Sequence, residues 1–253
     1  MRVPFLRTSV CPHRGRVGTL SSVPPEEHHH RNLHGGGARA AVFGISDGLV
    51  SNVALILGMA GANSSPGAVR LAGLAGLIGG AFSMATGEYI SMRAQSELMQ
   101  RELDVERQAL RHEPEVERKE LAAIYESRGL DAELAEELSV KMMRDPELAL
   151  ETHAREELGI NPKETGKPVE AALASFFTFA LGAFLPLLPW LITDGTRATL
   201  WSVALGAVGA FSVGAALSMF TGRSWLWSAS RQLLISGAAA AVTYSVGHLV
   251  GAG

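Results

Sequence analysis

Two ionisable residues stand inside stretches of the sequence that are otherwise apolar. Asp47 lies about a third of the way into the first stretch, and Glu88 lies near the end of the second. A charged side chain inside a membrane-spanning helix costs about 2.5–3.5 kcal/mol on insertion scales, so it normally faces protein or water and marks an ion pathway. Asn52 adds a neutral oxygen after Asp47, and Met84 adds a thioether one helical turn before Glu88. These four residues predict a cation path.

The same residues also have structural interpretations. Asp47 near a membrane surface could cap a helix or pair with Arg39. Met84 alone would be ordinary packing, because methionine fills irregular gaps. As a set they favour weak metal binding, since carboxylates suit hard cations such as Mn(II) whereas a thioether suits Cu(I) better. Weak binding is what conduction requires, so we interpret the set as a transport path.

A second group of metal-ligating residue types lies in the charged middle of the chain. Residues 96–167 contain 19 of the 25 Asp and Glu residues, against 11 Lys and Arg residues. His153 and Glu157 lie four residues apart, a spacing that lets both reach one metal ion. Carboxylates with an imidazole suit Fe(II), Mn(II) or Zn(II). A solvated acidic helix face explains the spacing of the other glutamates equally well; these are Glu106, Glu113, Glu117 and Glu120.

Five apolar segments are long enough to cross a bilayer, which takes about 20 residues. They cover approximately residues 38–62, 68–92, 169–192, 198–221 and 226–250. The acidic region between the second and third segments has helical patterning, with Pro114 suited to the first turn of a helix and Gly129 to the end of one. The sequence therefore predicts an all-α membrane protein with five transmembrane helices and a cytoplasmic helical metal-binding insert.

The expected organisation has four parts. They are a disordered N-terminal tail over residues 1–34, transmembrane helices 1–2 over 38–94, the acidic insert over 95–167 and transmembrane helices 3–5 over 169–251. Lys and Arg concentrate at the ends that flank the tail and the insert, so both should face the cytoplasm and the C-terminus should face outside. Cys11 is the sole cysteine, which excludes an internal disulfide. The histidines of the tail could bind metal loosely or be solvated.

Two membrane stretches are distinctive, namely FGISDGLVSNVALILGMAGA and GGAFSMATGEYISMRAQSE. Together with ELAAIYESRGL and REELGI in the insert, they closely resemble the vacuolar iron transporter family, which includes bacterial and nodulin-like members. The resemblance covers about residues 39–250. It implies a homodimer with five membrane helices per chain and an ion path between the first two helices of the two subunits. It also implies export of Fe(II), often with Mn(II), from the cytosol in exchange for protons.

The resemblance assigns roles to individual residues. The path aspartate and methionine of the family match Asp47 and Met84. The glutamates that collect metal in its cytoplasmic domain fall on Glu106, Glu117, Glu120 and Glu157.

This chain departs from the family pattern at two places in the insert. A further family glutamate falls on Ala109, and a methionine pair falls on His153 and Ala154. The site would then have fewer carboxylates and one imidazole, so neither a preference for iron over manganese nor a tight site transfers from the family.

The sequence thus predicts a dimeric antiporter that exports Fe(II) or Mn(II) against protons for metal homeostasis and detoxification. Its expected partners are the lipid bilayer, divalent metal ions and a second copy of the chain, with no permanently bound cofactor and no nucleic acid. The composition, rich in Ala, Arg and Gly, favours a bacterial plasma membrane. The alternative is a membrane-anchored metal sensor without transport.

An enzyme is not expected from this sequence. It shows no nucleophile–base arrangement, no phosphate loop and no HExxH motif. Di-iron oxidase sites in helix bundles use Glu-x-x-His pairs, whereas residues 153–157 give His-x-x-x-Glu.

Overall fold

The computed structural model describes residues 36–163 and 166–251, and all of the secondary structure in these residues is helical. The predicted all-α fold is confirmed. The predicted N-terminal tail, residues 1–34, lies outside the described residues. The helices are α1 (Gly36–Gly61), α2 (Pro66–His112), α3 (Pro114–Ser127), α4 (Ala132–Met142), α5 (Pro146–Glu156), α6 (Pro168–Ile192), α7 (Gly195–Thr221) and α8 (Trp225–Gly251).

Five of these helices are long and apolar enough to cross a membrane: α1, α2, α6, α7 and α8. Four of the predicted membrane segments match their helices to within a few residues, and the second matches the start of α2 but ends well before that helix does. Large apolar side chains such as Phe82, Leu200 and Leu234 are exposed on their outer faces. Apolar faces of this kind suit contact with lipid. The helices can lie in lipid because their backbone groups are hydrogen-bonded within each helix.

Helix α2 is much longer than a membrane crossing. Its 47 residues begin after Ser65, whose hydroxyl accepts a hydrogen bond from the Ala68 amide, and they end before Pro114. Neither Gly nor Pro interrupts the chain between Glu88 and Pro114, so the helix continues without a break past residue 94. The second membrane segment and the first helix of the insert are therefore one element. The division of the chain into domains at residue 94 stays a prediction.

Helix α6 packs closely against α1. A Cβ atom added at Gly48 would overlap the backbone of Phe179, and one added at Gly182 would overlap the backbone of Ile45. Small residues let membrane helices approach until their backbones touch, which strengthens dispersion contacts. The buried side chains of Leu49, Val53 and Ala210 fill the neighbouring space.

The insert consists of the second half of α2 together with α3, α4 and α5. Asp145 begins α5 by accepting hydrogen bonds from the amides of Glu147 (2.8 Å) and Leu148 (3.1 Å). Two ion pairs connect the short helices: Arg118 of α3 pairs with Glu136 of α4, and Arg128, directly after α3, pairs with Glu156 of α5. These contacts fix the faces that α3 and α5 turn towards α2.

Candidate metal centre and membrane cavity

Four residues from three parts of the insert meet at one point. Glu106 lies on α2, Glu117 on α3, His153 on α5, and Glu157 directly follows α5. One ligand atom from each lies within 4.8 Å of the others. The His153 Nδ1 atom lies 3.1 Å from Glu106 Oε1, 3.8 Å from Glu117 Oε2 and 3.7 Å from Glu157 Oε2.

These separations fit a first-row divalent metal ion. Metal–ligand bonds of about 2.0–2.2 Å in tetrahedral geometry place neighbouring ligand atoms about 3.4 Å apart. Oxygen ligands with one imidazole nitrogen suit Fe(II), Mn(II) or Zn(II), and the set lacks the thiolates that select softer ions. The geometry therefore supports a metal site in the insert. The spacing of the glutamates in the sequence could not distinguish such a site from a solvated acidic helix face.

The turn between α2 and α3 creates this meeting point. Pro114 prevents α2 from continuing, and Glu113 adopts a non-helical backbone with φ −131° and ψ 48°. The chain then reverses, so that the buried face of α3 with Glu117 and Leu121 packs near α2. On α5, His153 precedes Glu157 by one helical turn, which directs both towards the same side.

Burial leaves the cluster with uncompensated charge. Glu106 is 6 % exposed, Glu117 is 8 % exposed and His153 is fully buried. Within the described part of the chain, no Lys or Arg side chain pairs with these carboxylates, and the His153 ring is their nearest partner. A buried charge without a partner is unfavourable, and a bound cation would relieve it.

The pKa shifts of the cluster have the same cause. Burial, followed by repulsion from Glu157, Glu117 and Glu120, raises the pKa of Glu106 to about 7. Burial also raises the pKa of Glu117, and nearby carboxylates add to that effect. Burial lowers the pKa of His153 against the opposing influence of Glu157. All three shifts favour neutral side chains until a metal ion displaces the protons.

Two further predicted ligands stand apart from this group. Glu113 and Glu120 are exposed and do not join the four converging side chains. Their charges nevertheless reach the cluster, because Glu120 raises the pKa of Glu106 and both raise the pKa of Glu117. Their role as ligands stays a prediction.

A second site lies among the membrane helices. Helices α1, α2 and α6 border a cavity of about 340 Å³. Three of the four predicted path residues line it, namely Asp47, Asn52 and Met84. The cavity thus brings together a carboxylate, an amide and a thioether.

Glu88 is not among the residues that line this cavity. Its carboxylate lies 3.2 Å from the guanidinium of Arg39, and its side chain is 16 % exposed. Arg39 thus pairs with Glu88 rather than with Asp47. Among the residues that the structure describes, no cation pairs with the Asp47 carboxylate, which leaves that group available to an ion.

Sequence reasoning missed residues that shape the cavity without offering metal ligands. Phe179 of α6 lines its wall, and a Cβ atom added at Gly80 would overlap the Phe179 ring. The glycines of α2 carry no metal-ligating group and are not among the predicted path residues. Their spacing over Gly76 and Gly80, on one face of the helix, was the available signal for a close approach.

Comparisons with known proteins agree with this architecture. The sequence profile of the VIT family matches residues 38–248. A protein of Acanthamoeba castellanii named vacuolar iron transporter is 36% identical over 223 residues, which cover 85% of this chain and 78% of that protein. Vacuolar iron transporter 1 of Arabidopsis thaliana is 30% identical over 213 residues, covering 84% and 85%. Vacuolar iron transporter homolog 2 of Oryza sativa subsp. japonica is 32% identical over 214 residues, covering 82% and 87%.

Proposed function

The chain belongs to the VIT family, and from that premise we propose that it exports Fe(II) or Mn(II) from the cytosol in exchange for protons. The observation that carries the proposal is the presence of two sites with metal-ligating groups on one helix. Glu106 of α2 belongs to the cluster in the insert, and Met84 of the same helix lines the membrane cavity. Relatives that carry the name vacuolar iron transporter support iron as a substrate.

The cluster in the insert would gather the metal. Once all three carboxylates are deprotonated, the cluster with its neutral imidazole has a formal charge of about −3, which a divalent ion reduces to about −1. The exposed acidic residues around it, among them Glu113 and Glu120, would raise the local concentration of cations. The metal is cargo, so the cluster must also release it.

The membrane cavity would pass the ion across. Glu88 and its partner Arg39 lie on the side of α1 and α2 from which the insert continues, so Glu88 is placed to receive the ion near the cytoplasmic mouth. Asp47 would supply the charge within the cavity, and Met84 would supply a soft, weak ligand. Such a mixed set binds hard and borderline cations loosely, as conduction requires.

Proton coupling follows from the chemistry of Asp47. A carboxylate must be deprotonated to bind a metal ion, so proton and metal would compete for this one side chain. Alternate occupancy of Asp47 by a proton and by a metal ion would link their opposite movements. The protein would need no resident cofactor and no catalysis.

We further propose a homodimer in a bacterial plasma membrane, with the N-terminus and the insert in the cytoplasm and the C-terminus outside. Lys and Arg near the membrane ends support the orientation. Phe43 and Leu55 at the edge of the cavity are 65% and 38% exposed. A second copy of the chain against this edge would cover those apolar groups and complete the wall of the path.

The rival function is a membrane-anchored metal sensor. The four-residue cluster in the insert would serve a sensor equally well. A membrane anchor, however, has no use for Asp47, Asn52 and Met84 around a cavity. This observation favours transport.

The decisive experiment reconstitutes the full chain into liposomes with Fe(II) or Mn(II) on one side and a pH-sensitive dye on the other. We expect metal flux matched by protons moving the opposite way. Asp47→Ala should abolish both, because it removes the competing carboxylate, and Asp47→Asn should do so while keeping the side-chain volume. If the wild-type protein binds metal in the insert but moves none, the sensor function replaces the transporter.

A further inference from the structure

Asn52 is the most deeply buried polar side chain of the membrane cavity. It is 1 % exposed, and its Nδ2 atom donates a hydrogen bond of 2.6 Å to the carbonyl oxygen of Ala183 on α6. A carbonyl oxygen can only accept, so the amide nitrogen must face α6. This contact leaves a single orientation for the amide group, with Oδ1 turned away from Ala183.

The Oδ1 atom has no hydrogen-bond partner among the described residues, although it is buried. It lies above the backbone of α2, where a Cβ atom added at Gly76 would approach it to 2.8 Å. Gly76 and Asn52 line the same cavity as Asp47 and Met84. A buried acceptor without a partner is unfavourable in a membrane interior, so its retention in the cavity points to a ligand that supplies the missing interaction.

The Ala183 carbonyl can accept this side-chain donor besides a helical N–H, because a backbone carbonyl oxygen has two lone pairs. The Pro186 carbonyl shows the same behaviour, because it accepts a hydrogen bond of 2.6 Å from Ser202 on α7.

We propose that Asn52 provides a fixed, neutral oxygen ligand to a divalent cation in the membrane cavity and thereby sets how readily the cation leaves. This inference rests on the proposed transport function and identifies a residue that determines its rate and selectivity. Asp47 alone would supply the negative charge, so the ion would remain only partly neutralised. A second carboxylate at position 52 would hold the ion more tightly, whereas an apolar side chain would remove the ligand.

Three substitutions test whether Asn52 is a metal ligand or only a hydrogen bond that joins α1 to α6. We expect Asn52→Leu, of similar size, to weaken metal binding in the cavity about tenfold or more, a loss typical of damaged metal sites. Asn52→Asp should lower both the KM and the kcat for Mn(II) flux, because the ion binds tighter and leaves more slowly. Ser202→Ala removes a comparable buried hydrogen bond of α6 outside the cavity, and it should change neither KM nor cation selectivity.

A second pair of variants tests the orientation of the amide without altering Asn52. Gly76→Ala would place a methyl group against Oδ1, so we expect a higher KM for Mn(II). Gly79→Ala on the same helix is the matched control, because a Cβ atom there meets nothing within 4 Å. Thermal stability in detergent, measured on all variants, identifies those that simply fail to fold.

The binding measurement remains informative even if no transport is seen. Mn(II) binding is measured by electron paramagnetic resonance on the full chain carrying Glu106→Gln and His153→Ala, which disable the cluster in the insert. Binding in the cavity that Asn52→Leu weakens supports the inference whether or not ions cross the membrane. Binding, KM and selectivity that are unchanged in folded Asn52→Leu would overturn it, while absence of flux in the wild type would overturn only the transport function.

Discussion

His153 gives the cluster in the insert its chemical character. It is fully buried, and its Nδ1 atom faces carboxylate oxygens from Glu106, Glu117 and Glu157 at 3.1–3.8 Å. An imidazole is a borderline ligand that accepts Fe(II), Mn(II) and Zn(II), whereas a thioether at the same place would be softer and weaker towards Mn(II). We therefore propose that the nitrogen broadens the range of ions that the insert can bind.

We expect His153→Ala to reduce the Mn(II) affinity of the insert by about 10–100-fold, because the site loses its nitrogen ligand and keeps three repelling carboxylates. Isothermal titration calorimetry on the full chain measures this effect. His112→Ala is the control, since His112 is exposed at the end of α2 and hydrogen-bonds only to a nearby backbone carbonyl. Unchanged affinity in His153→Ala would remove His153 from the ligand set.

For individual residues, the sequence indicates which side chains are of metal-binding types. It does not indicate which of those side chains lie together in the folded protein. His153 and Glu157 could be paired from their spacing on one helix. The glutamates Glu106, Glu113 and Glu117 share an equally regular spacing, yet the first and third enter the cluster and Glu113 does not. The reason is the reversal of the chain at Pro114, which depends on how α3 packs against α2 rather than on the spacing of charges.

Helix α2 connects the two sites as a single rigid element. Met84 and Glu106 are 22 residues apart, which corresponds to about six turns and about 33 Å along the axis, with both residues on nearly the same side. The apolar residues of the sequence predict a helix for the membrane half of α2, and the charged residues predict one for the half in the insert. Hydropathy does not predict their continuity, because a change from apolar to charged residues marks the edge of the membrane and not the end of a helix.

We expect a break in α2 between the sites to separate metal capture from transport. Ala94→Pro introduces a helix breaker that costs about 3 kcal/mol at an exposed position between them. Calorimetry should show metal binding to the insert near the wild-type affinity, while flux into liposomes falls severalfold. Ala94→Gly, with a cost of about 1 kcal/mol, should affect flux much less. Equal flux in the proline variant would show that the continuity of α2 is not needed for delivery.

The molecule as a whole places a proton-sensitive cluster and a membrane cavity about 33 Å apart along one helix. The five membrane helices could be predicted because their apolar runs are long and separate, whereas the cavity could not. It depends on Gly80 of α2 meeting the ring of Phe179 and on the carbonyl of Ala183 meeting Asn52. Such contacts join helices that are about a hundred residues apart in the chain, and no periodicity in the sequence specifies them.

We expect metal loading of the cluster in the insert to depend on pH. Glu106 has its pKa raised to about 7, so it is largely protonated below that pH in the metal-free protein and must release a proton to bind metal. Burial lowers the pKa of His153, which favours the neutral imidazole that can bind metal. Metal affinity should therefore fall about tenfold for each pH unit below 7, as expected for one competing proton.

Metal affinity should rise with pH because of Glu106, whereas the contribution of Glu106 to the stability of the metal-free protein should fall with pH. The pKa of Glu106 in the folded protein, about 7, lies above the ordinary value of 4.5, so its contribution favours the folded state at low pH and is lost as pH rises through about 7. Thermal melts with and without Mn(II) between pH 5.5 and about 8 test both effects. The metal-induced rise in Tm should grow with pH, and Glu106→Gln should flatten that trend. A metal-induced rise that does not vary with pH would show that binding displaces no proton from Glu106.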